Sequence, residues 1–326
     1  MLEEFKTDIE LVKYFTSDEI ARKYLEDKRW GGKPVCPLCN ESNFYKLKSL
    51  TQPYCCKKCR KNFSVRVGTI FDSSNVPLHK WLIAIWKLMN DKRSISSVQM
   101  ITEIGVTQKT AWYMNHRIRE MFKNSSIELL SDEVQVDETY VGGKKEKMKK
   151  SRLAKMSKGT GMIDKLPIVA MKETKSGKMI LEVTTRNPDG TVIKPIVRKY
   201  VVNDAVLVTD GSGVYAGLHK EYKDHIILNH GNDEYVRDGY TTNHVEGHFR
   251  HLKDSLTGTF KGMVRDWHMQ RYVNEFVYKC NTAERKVKKQ VVKDRTILTP
   301  DNLKKILRYK DLVKHSLNPR CLKKAS

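Results

Sequence analysis

Residues 133–143 read EVQVDETYVGG, a run in which alternating valines lead to an acidic residue, Asp137. Such alternation indicates a β-strand with one buried face, and the glycine pair that follows indicates a turn. Four further β-rich runs come later in the chain: LPIVAM at 166–171, KMILEVTT at 178–185, AVLVTD at 205–210 and HIILNH at 225–230. Because helical patterns at 188–200 and 214–222 alternate with these runs, the sequence predicts a mixed α/β sheet flanked by helices.

Two acidic residues end strand-like runs, and a third lies on a predicted helix. Asp137 follows the alternating valines, Asp210 ends AVLVTD, and Glu246 lies in NHVEGHFRHLK at 243–253. A carboxylate at the end of a buried strand is costly unless it is solvated, paired or bound to metal, so two such strands favour a site. Together the three carboxylates would form an oxygen-rich cage suited to two Mg²⁺ (or Mn²⁺) ions, whereas each acid taken alone is better explained as a surface charge.

The helix around Glu246 is predicted to carry its functional groups on one face. Asn243, Glu246, Arg250 and Lys253 are separated by three, four and three residues, which places them on the same side of a helix. We therefore expect the acid to face the strand carboxylates while Arg250 and Lys253 extend toward a phosphate backbone.

Five of the seven cysteines lie within 24 residues. The pair Cys36 and Cys39 is followed after sixteen residues by the pair Cys56 and Cys59. This spacing is typical of two knuckles that hold one tetrahedral Zn²⁺, and such a small unit draws its folding free energy from the metal. The sequence predicts a structural zinc ribbon, with Cys55 as a spare thiol that could compete with Cys56.

Residues 96–122 predict two helices joined by a short turn. The turn is IGV at 104–106, and Thr107 is the expected N-cap of the second helix. A glycine-containing turn between amphipathic helices is typical of a helix-turn-helix, whose second helix enters the major groove of DNA. Plain packing of a helical core is the alternative, because many three-helix domains share this pattern.

The charge of the chain indicates a polyanionic partner. With 61 Lys and Arg against 38 Asp and Glu, the formal charge is +23, and nucleic acid is a better match than an anionic membrane. A basic run at 144–158 is either a clamp on DNA phosphates or a solvated loop. Candidate DNA contacts are Lys57 and Lys58; Gln108, Lys109, Tyr113, Arg117 and Arg119; Lys144, Lys145, Lys149 and Lys150; and Arg250.

Nothing in the sequence favours a membrane location. The acidic start lacks the basic and apolar regions of a signal peptide, and no apolar run approaches the roughly 18 residues of a membrane helix. The expectation is a soluble intracellular protein. Its predicted parts are a helical lead-in (1–30), a zinc ribbon (31–72), a helix-turn-helix domain (73–128), a catalytic domain (129–285) and a basic tail (286–326).

The joint pattern resembles a known superfamily. Asp137, Asp210, Glu246 after 35 intervening residues and Lys253 seven further on are similar to the DDE transposases and integrases, which implies an RNase H-like fold. Several phrases narrow the resemblance to bacterial insertion-sequence transposases with an N-terminal zinc ribbon, relatives of the Merlin transposons. They are FSVRVGTIF (63–71), PLHKW (77–81), VDETYVGG (136–143), NHVE (243–246) and QRYVNEFVY (270–278), together with the knuckles.

The resemblance implies an activity and partners. The expected enzyme recognises terminal inverted repeats, cleaves the element ends and joins them to target DNA by two-metal-ion phosphoryl transfer, with at least two subunits on paired ends in the bacterial cytoplasm, associated with the nucleoid. Asp137, Asp210 and Glu246 would be catalytic, with support from Asn243 and Lys253. Some members use Asn as the third catalytic residue, so Asn243 is an alternative to Glu246. The other readings are a non-catalytic zinc-dependent DNA-binding regulator derived from a transposase, and a nuclease that cuts without joining.

Overall fold

The protein forms two compact units, which are described separately. The computed structural model describes residues 5, 7–49, 51–91, 93–123, 128–142, 165–184, 188–229, 236–262 and 264–282. The described residues up to 123 form the N-terminal unit, and those from 128 to 282 form the C-terminal unit. Within the described ranges, no helix is both long enough and apolar enough to span a membrane.

The N-terminal unit places a small sheet among five helices of its described residues. Helices α1 (Asp8–Tyr14) and α2 (Asp18–Trp30) come first, and the Ser17 side chain caps α2 as an N-cap should, accepting a hydrogen bond from the amide of Ile20. The antiparallel strands follow in the order β1 (Phe44–Lys46), β2 (Tyr54–Cys56) and β3 (Asn62–Phe63). Helices α3 (Leu78–Asn90), α4 (Ser97–Ile104) and α5 (Gln108–Glu120) complete the unit.

Helices α4 and α5 are joined by the short turn that the sequence predicts. Gly105 ends α4 in the left-handed conformation (φ 60°), which favours glycine, and Thr107 caps α5 by accepting a hydrogen bond from the amide of Thr110 at 3.3 Å. Ala111, Met114 and Ile118 are buried on the inner face of α5.

The C-terminal unit is built on a five-stranded mixed sheet. Its elements are β4 (Glu133–Val141), β5 (Leu166–Glu173), β6 (Met179–Val183), α6 (Gly190–Tyr200), β7 (Val206–Asp210), β8 (Asp224–Leu228), the hairpin β9 (Val236–Arg237) and β10 (Tyr240–Thr241), α7 (Asn243–Asp254) and α8 (Asp266–Thr282). The sheet order is β6-β5-β4-β7-β8, with β4, β5 and β6 antiparallel and β4, β7 and β8 parallel. This is the RNase H-like sheet that the resemblance implies.

Helices cover both faces of this sheet. On one face, Val134, Val136 and Leu207 pack with residues of α6. On the other, a second cluster joins Ile168 and Ala170 of β5 to residues of α7 and α8. The helix expected around 214–222 is instead two short 3₁₀ turns, Gly213–Tyr215 and Leu218–Lys220, because Gly217 adopts a φ of 92° that interrupts a helix.

Candidate active site

The two strand acids lie side by side on neighbouring parallel strands, with Asp210 at the carboxyl end of β7 and Asp137 in the middle of β4. Strand β4 pairs with β7 from Glu133 and Val206 to Gln135 and Val208. Two residues farther along each strand, the same register brings Asp137 level with Asp210. Because successive side chains alternate between faces, both acids point away from the α6 core and toward the face covered by α7.

Helix α7 carries the third acid over this face. Val245, Phe249 and Leu252 are buried beneath it, and the side of the helix that flanks this buried row is exposed. Glu246 lies on that exposed side, and its carboxylate accepts a hydrogen bond from the hydroxyl of Thr242 at 3.1 Å. The exposed side also carries the other residues that the spacing predicted, Asn243, Arg250 and Lys253.

Electrostatics connects the three acids. Burial raises the pKa of Asp137 to about 7, and the charges of Asp210 and Glu246 act in the same direction. An opposing effect comes from the amide of Glu138, which donates a hydrogen bond to Asp137 Oδ1 at 2.7 Å. Carboxylate oxygens suit hard divalent cations such as Mg²⁺ or Mn²⁺, although Asp137, Asp210 and Glu246 do not offer oxygens that all lie within 4.8 Å of one another.

Sequence reasoning missed a fourth acid, Glu138. It follows Asp137 on β4 and therefore points to the opposite face, where the hydroxyl of the buried Tyr215 donates a hydrogen bond to Glu138 Oε1 at 2.6 Å. Burial raises the pKa of Glu138, and the charge of Asp210 adds to the effect. The DE pair in VDETYVGG was the available signal, but the strand alternation assigned this position to the apolar core.

The four knuckle cysteines converge on one point. Their sulfurs all lie within 4.8 Å of one another, with Cys36 Sγ 3.7 Å from Cys59 Sγ and Cys39 Sγ 3.5 Å from Cys56 Sγ. Four sulfurs about 2.3 Å from a tetrahedral ion lie roughly 3.8 Å apart, so the arrangement fits Zn²⁺. Among the residues that the structure describes, this is the set that closes around a metal position, and Cys55 is outside it.

Backbone geometry shapes the two knuckles alike. Asn40 and Arg60, each directly after a second cysteine, adopt left-handed φ values of 58° and 57°, and their amides donate to the carbonyls of Cys36 and Cys56. The amide of Cys59 donates to the Cys56 sulfur and lowers the pKa of that thiol to about 7. A thiol that ionises easily favours metal binding.

The candidate DNA contacts divide into exposed and engaged side chains. Lys57 and Lys58 are exposed beside the second knuckle, and the Lys57 ammonium lies 5.0 Å from the centre of the Tyr45 ring. Gln108 and Lys109 are exposed at the start of α5, and Tyr113 is half-buried. Residues 144–158, with Lys144, Lys145, Lys149 and Lys150, lie outside the described residues.

Two arginines of α5 are occupied within the N-terminal unit. Arg117 Nη1 donates to the carbonyl oxygens of Ile70 at 2.8 Å and Asp72 at 2.5 Å, so its guanidinium holds the segment after β3. The expectation for Arg119 is wrong, because its side chain is only 1% exposed and bonds to Ser94 and Ile95. A helical arginine that points inward cannot reach a DNA groove.

Known protein families match parts of both units. The ISXO2-like transposase domain matches residues 129–281, and the transposase zinc-ribbon domain matches residues 16–62. An uncharacterized protein in the transposable element ISH50 of Halobacterium salinarum is 27% identical over 248 residues, which cover 73% of this chain and 82% of the relative.

A solved structure offers a weaker likeness. A chain in the simian T-cell lymphotropic virus intasome in complex with PP2A regulatory subunit B56 gamma is 11% identical, with 64% of this chain and 78% of that chain covered. The TM-score is 0.29, and a likeness at that level carries no argument.

Proposed function

We propose that the protein recognises the terminal inverted repeats of a mobile element, cleaves its ends and joins them to target DNA. Residues 129–281 match the ISXO2-like transposase domain, and residues 16–62 match the transposase zinc-ribbon domain. The observation that carries the proposal is the register of β4 and β7, which sets Asp137 level with Asp210 on the sheet face covered by the Glu246 helix. Acids that serve only as surface charges would not need to lie level with each other on adjacent strands beneath a helix that carries a third acid.

The proposed role of the three acids is to bind divalent cations. Bound Mg²⁺ or Mn²⁺ would supply Lewis-acid stabilisation of the charge that develops on the phosphate oxygens. Asp137 and Asp210 would contribute carboxylate oxygens from two rigid strands, and Glu246 would contribute one from the first turn of α7. Rigid elements suit this task because a catalytic site needs its ligands preorganised.

The cationic residues of α7 orient the substrate. Arg250 and Lys253 lie one and two helical turns beyond Glu246 in the same direction, so they can contact phosphates on one side of the reacting phosphate while the acids remain close to it. Asn243 is exposed one turn before Glu246, and its uncharged amide would offer a hydrogen-bonding group on the same face of α7.

The N-terminal unit is proposed to recognise the element ends. The exposed Lys57 and Lys58 contact phosphates beside the zinc knuckle, and the exposed start of α5 presents Gln108 and Lys109 to base edges or phosphates. Joining two ends requires them to be held together, which favours assembly of at least two subunits on DNA.

The test is a cleavage assay on DNA that carries the repeats flanking the gene, with Mg²⁺ or Mn²⁺ added. We expect cleavage at the element ends, loss of it in Asp137→Ala and in Asp210→Ala, and retention in Asp204→Ala, which removes an exposed acid at the opposite end of β7. Equal activity in all three variants would overturn the proposal. Binding of the repeats without cleavage by the unaltered protein would favour the non-catalytic regulator.

A further inference from the structure

Glu138, which is half-buried, and the buried Tyr215 form a hydrogen-bonded pair directly behind the proposed catalytic acids. Tyr215 is 1% exposed within the cluster between the sheet and α6, and its hydroxyl donates to Glu138 Oε1 at 2.6 Å. The proposed reaction does not use this pair, because Glu138 lies on the face of β4 opposite to Asp137.

The pair connects β4 with the segment that follows β7, at a level where the backbone pairing of these two strands has stopped. Pairing between β4 and β7 ends at Gln135 and Val208, two residues before each acid. Tyr215 ends a 3₁₀ turn that follows β7, so its bond to Glu138 ties this segment to the middle of β4.

Each of the two strand acids accepts a hydrogen bond from a backbone amide near the Glu138–Tyr215 pair. The amide of Glu138 donates to Asp137 Oδ1 at 2.7 Å, and the amide of Ser212 donates to Asp210 Oδ1 at 3.1 Å. The amide of Tyr215 in turn donates to the carbonyl of Ser212 at 3.3 Å. A continuous set of hydrogen bonds therefore runs from Asp137 through Glu138, Tyr215 and Ser212 to Asp210.

We propose that Glu138 and Tyr215 are positioning residues, which hold Asp137 and Asp210 at the separation that divalent cations require. The inference rests on the proposed function. Two neighbouring carboxylates repel each other, and at this level no backbone pairing between β4 and β7 opposes the repulsion. Partners that orient metal ligands commonly change metal affinity by about 10–100-fold when they are removed.

A second tyrosine in the same core serves as a control, because its hydroxyl also donates a hydrogen bond to a glutamate. It distinguishes a general loss of stability from a loss of positioning of the acids. The hydroxyl of Tyr200 donates to Glu182 Oε2 at 2.8 Å, and Tyr200 belongs to the same buried cluster as Tyr215. Glu182 lies on β6, which is two strands away from β4 in the sheet. Tyr200→Phe thus removes an equivalent hydrogen bond without touching the connection between the acids.

The experiment measures Mn²⁺ binding to the full-length protein by electron paramagnetic resonance of the free ion, alongside the melting temperature. Tyr215→Phe should raise the Kd for Mn²⁺ by about tenfold or more, with a melting temperature no lower than that of Tyr200→Phe. Glu138→Gln keeps an oxygen that can accept the bond, so its Kd should stay within about threefold of the unaltered protein. The Mn²⁺ concentration for half-maximal cleavage should follow the same order.

Two results would overturn the inference. One is a Kd for Tyr215→Phe that equals that of Tyr200→Phe, and the other is an equal loss in Glu138→Gln and Tyr215→Phe, which would assign the effect to the Glu138 charge. Asp137→Ala distinguishes this failure from failure of the proposed function. If Asp137→Ala binds Mn²⁺ normally, the metal site itself is wrong; if it loses binding while Tyr215→Phe does not, only the positioning role is wrong.

Discussion

Asp137 and Asp210 lie level with each other on neighbouring parallel strands, each two residues beyond the last backbone pair of Gln135 and Val208. Asp210 ends β7, and Asp137 lies beside it where the pairing of β4 with β7 has stopped, so both acids lie at the carboxyl edge of β7. In an open sheet, this edge is the usual position for a ligand site.

Removing the charge of Asp137 should stabilise the protein in the absence of added Mg²⁺ or Mn²⁺. Burial first, then neighbouring charges, raise the pKa of Asp137 from 3.8 to about 7. The folded protein therefore holds a proton that the unfolded chain releases near pH 4, and this stability is lost as the pH rises from about 4 through about 7. Asp137→Asn should gain on the order of 1–4 kcal/mol at pH 8 relative to pH 4.

The measurement for this variant is urea unfolding at several pH values in buffer without added divalent cations. Asp204→Asn, which changes an exposed acid of the same unit, is the control and should show no such trend. A stability difference between Asp137→Asn and the unaltered protein that does not change with pH would contradict the raised pKa.

Glu246, rather than Asn243, should be the third catalytic residue. The charge of Glu246 acts on Asp137, whereas the amide side chain of Asn243 carries no charge with which to bind a divalent cation. We expect Glu246→Gln to reduce DNA cleavage by about 100-fold or more, and Asn243→Ala by about tenfold or less. The rates are compared at saturating Mn²⁺. The opposite order would assign the role to Asn243.

Each chain should bind one Zn²⁺ through four of its five clustered cysteines. Cys36→Ser and Cys59→Ser each remove one sulfur from the tetrahedral set, so both should lose the metal and unfold the ribbon. Cys55 is outside the set, and Cys55→Ser should retain a full equivalent. Metal content by mass spectrometry checks the prediction, which fails if Cys55→Ser is the variant that loses zinc.

Lys109 should contribute one phosphate contact to DNA binding. It is exposed at the start of α5, so Lys109→Ala should weaken binding of the repeats and reduce the salt dependence of the affinity by about one ion. Lys23→Ala is a suitable control, because Lys23 is exposed in the same unit but paired with Glu19. The affinities come from fluorescence anisotropy over a range of salt concentrations. If the salt dependence of the affinity is unchanged in Lys109→Ala, Lys109 does not contact a phosphate and the assignment of α5 to the DNA interface is wrong.

Periodic patterns predicted much of the fold. The spacing of Asn243, Glu246, Arg250 and Lys253 indicated one helix face, and all four are exposed on α7. The knuckle spacing predicted the cysteine cluster but left Cys55 and Cys56 as alternatives. Strand alternation resolves that choice, because the Cys56 side chain is buried in the ribbon core and Cys55 lies on the other face of β2.

Features that depend on tertiary contacts could not be predicted. The local pattern of α5 gave no sign that Arg119 points inward, since its partners are 24 and 25 residues away. The phrase QRYVNEFVY suggested a family but no role for Gln270. In the fold, Gln270 bonds to the backbone of Val183 and Leu181, and so pairs groups of the edge strand β6.

The most direct test of the account is joining of DNA that already carries a cut element end with a free 3′-hydroxyl. The unaltered protein with Mg²⁺ should insert this end into a supercoiled plasmid, and Asp210→Asn should not, although it should bind the same DNA with unchanged affinity. Insertion by Asp210→Asn at the rate of the unaltered protein would contradict the assignment of Asp137, Asp210 and Glu246 as the catalytic centre.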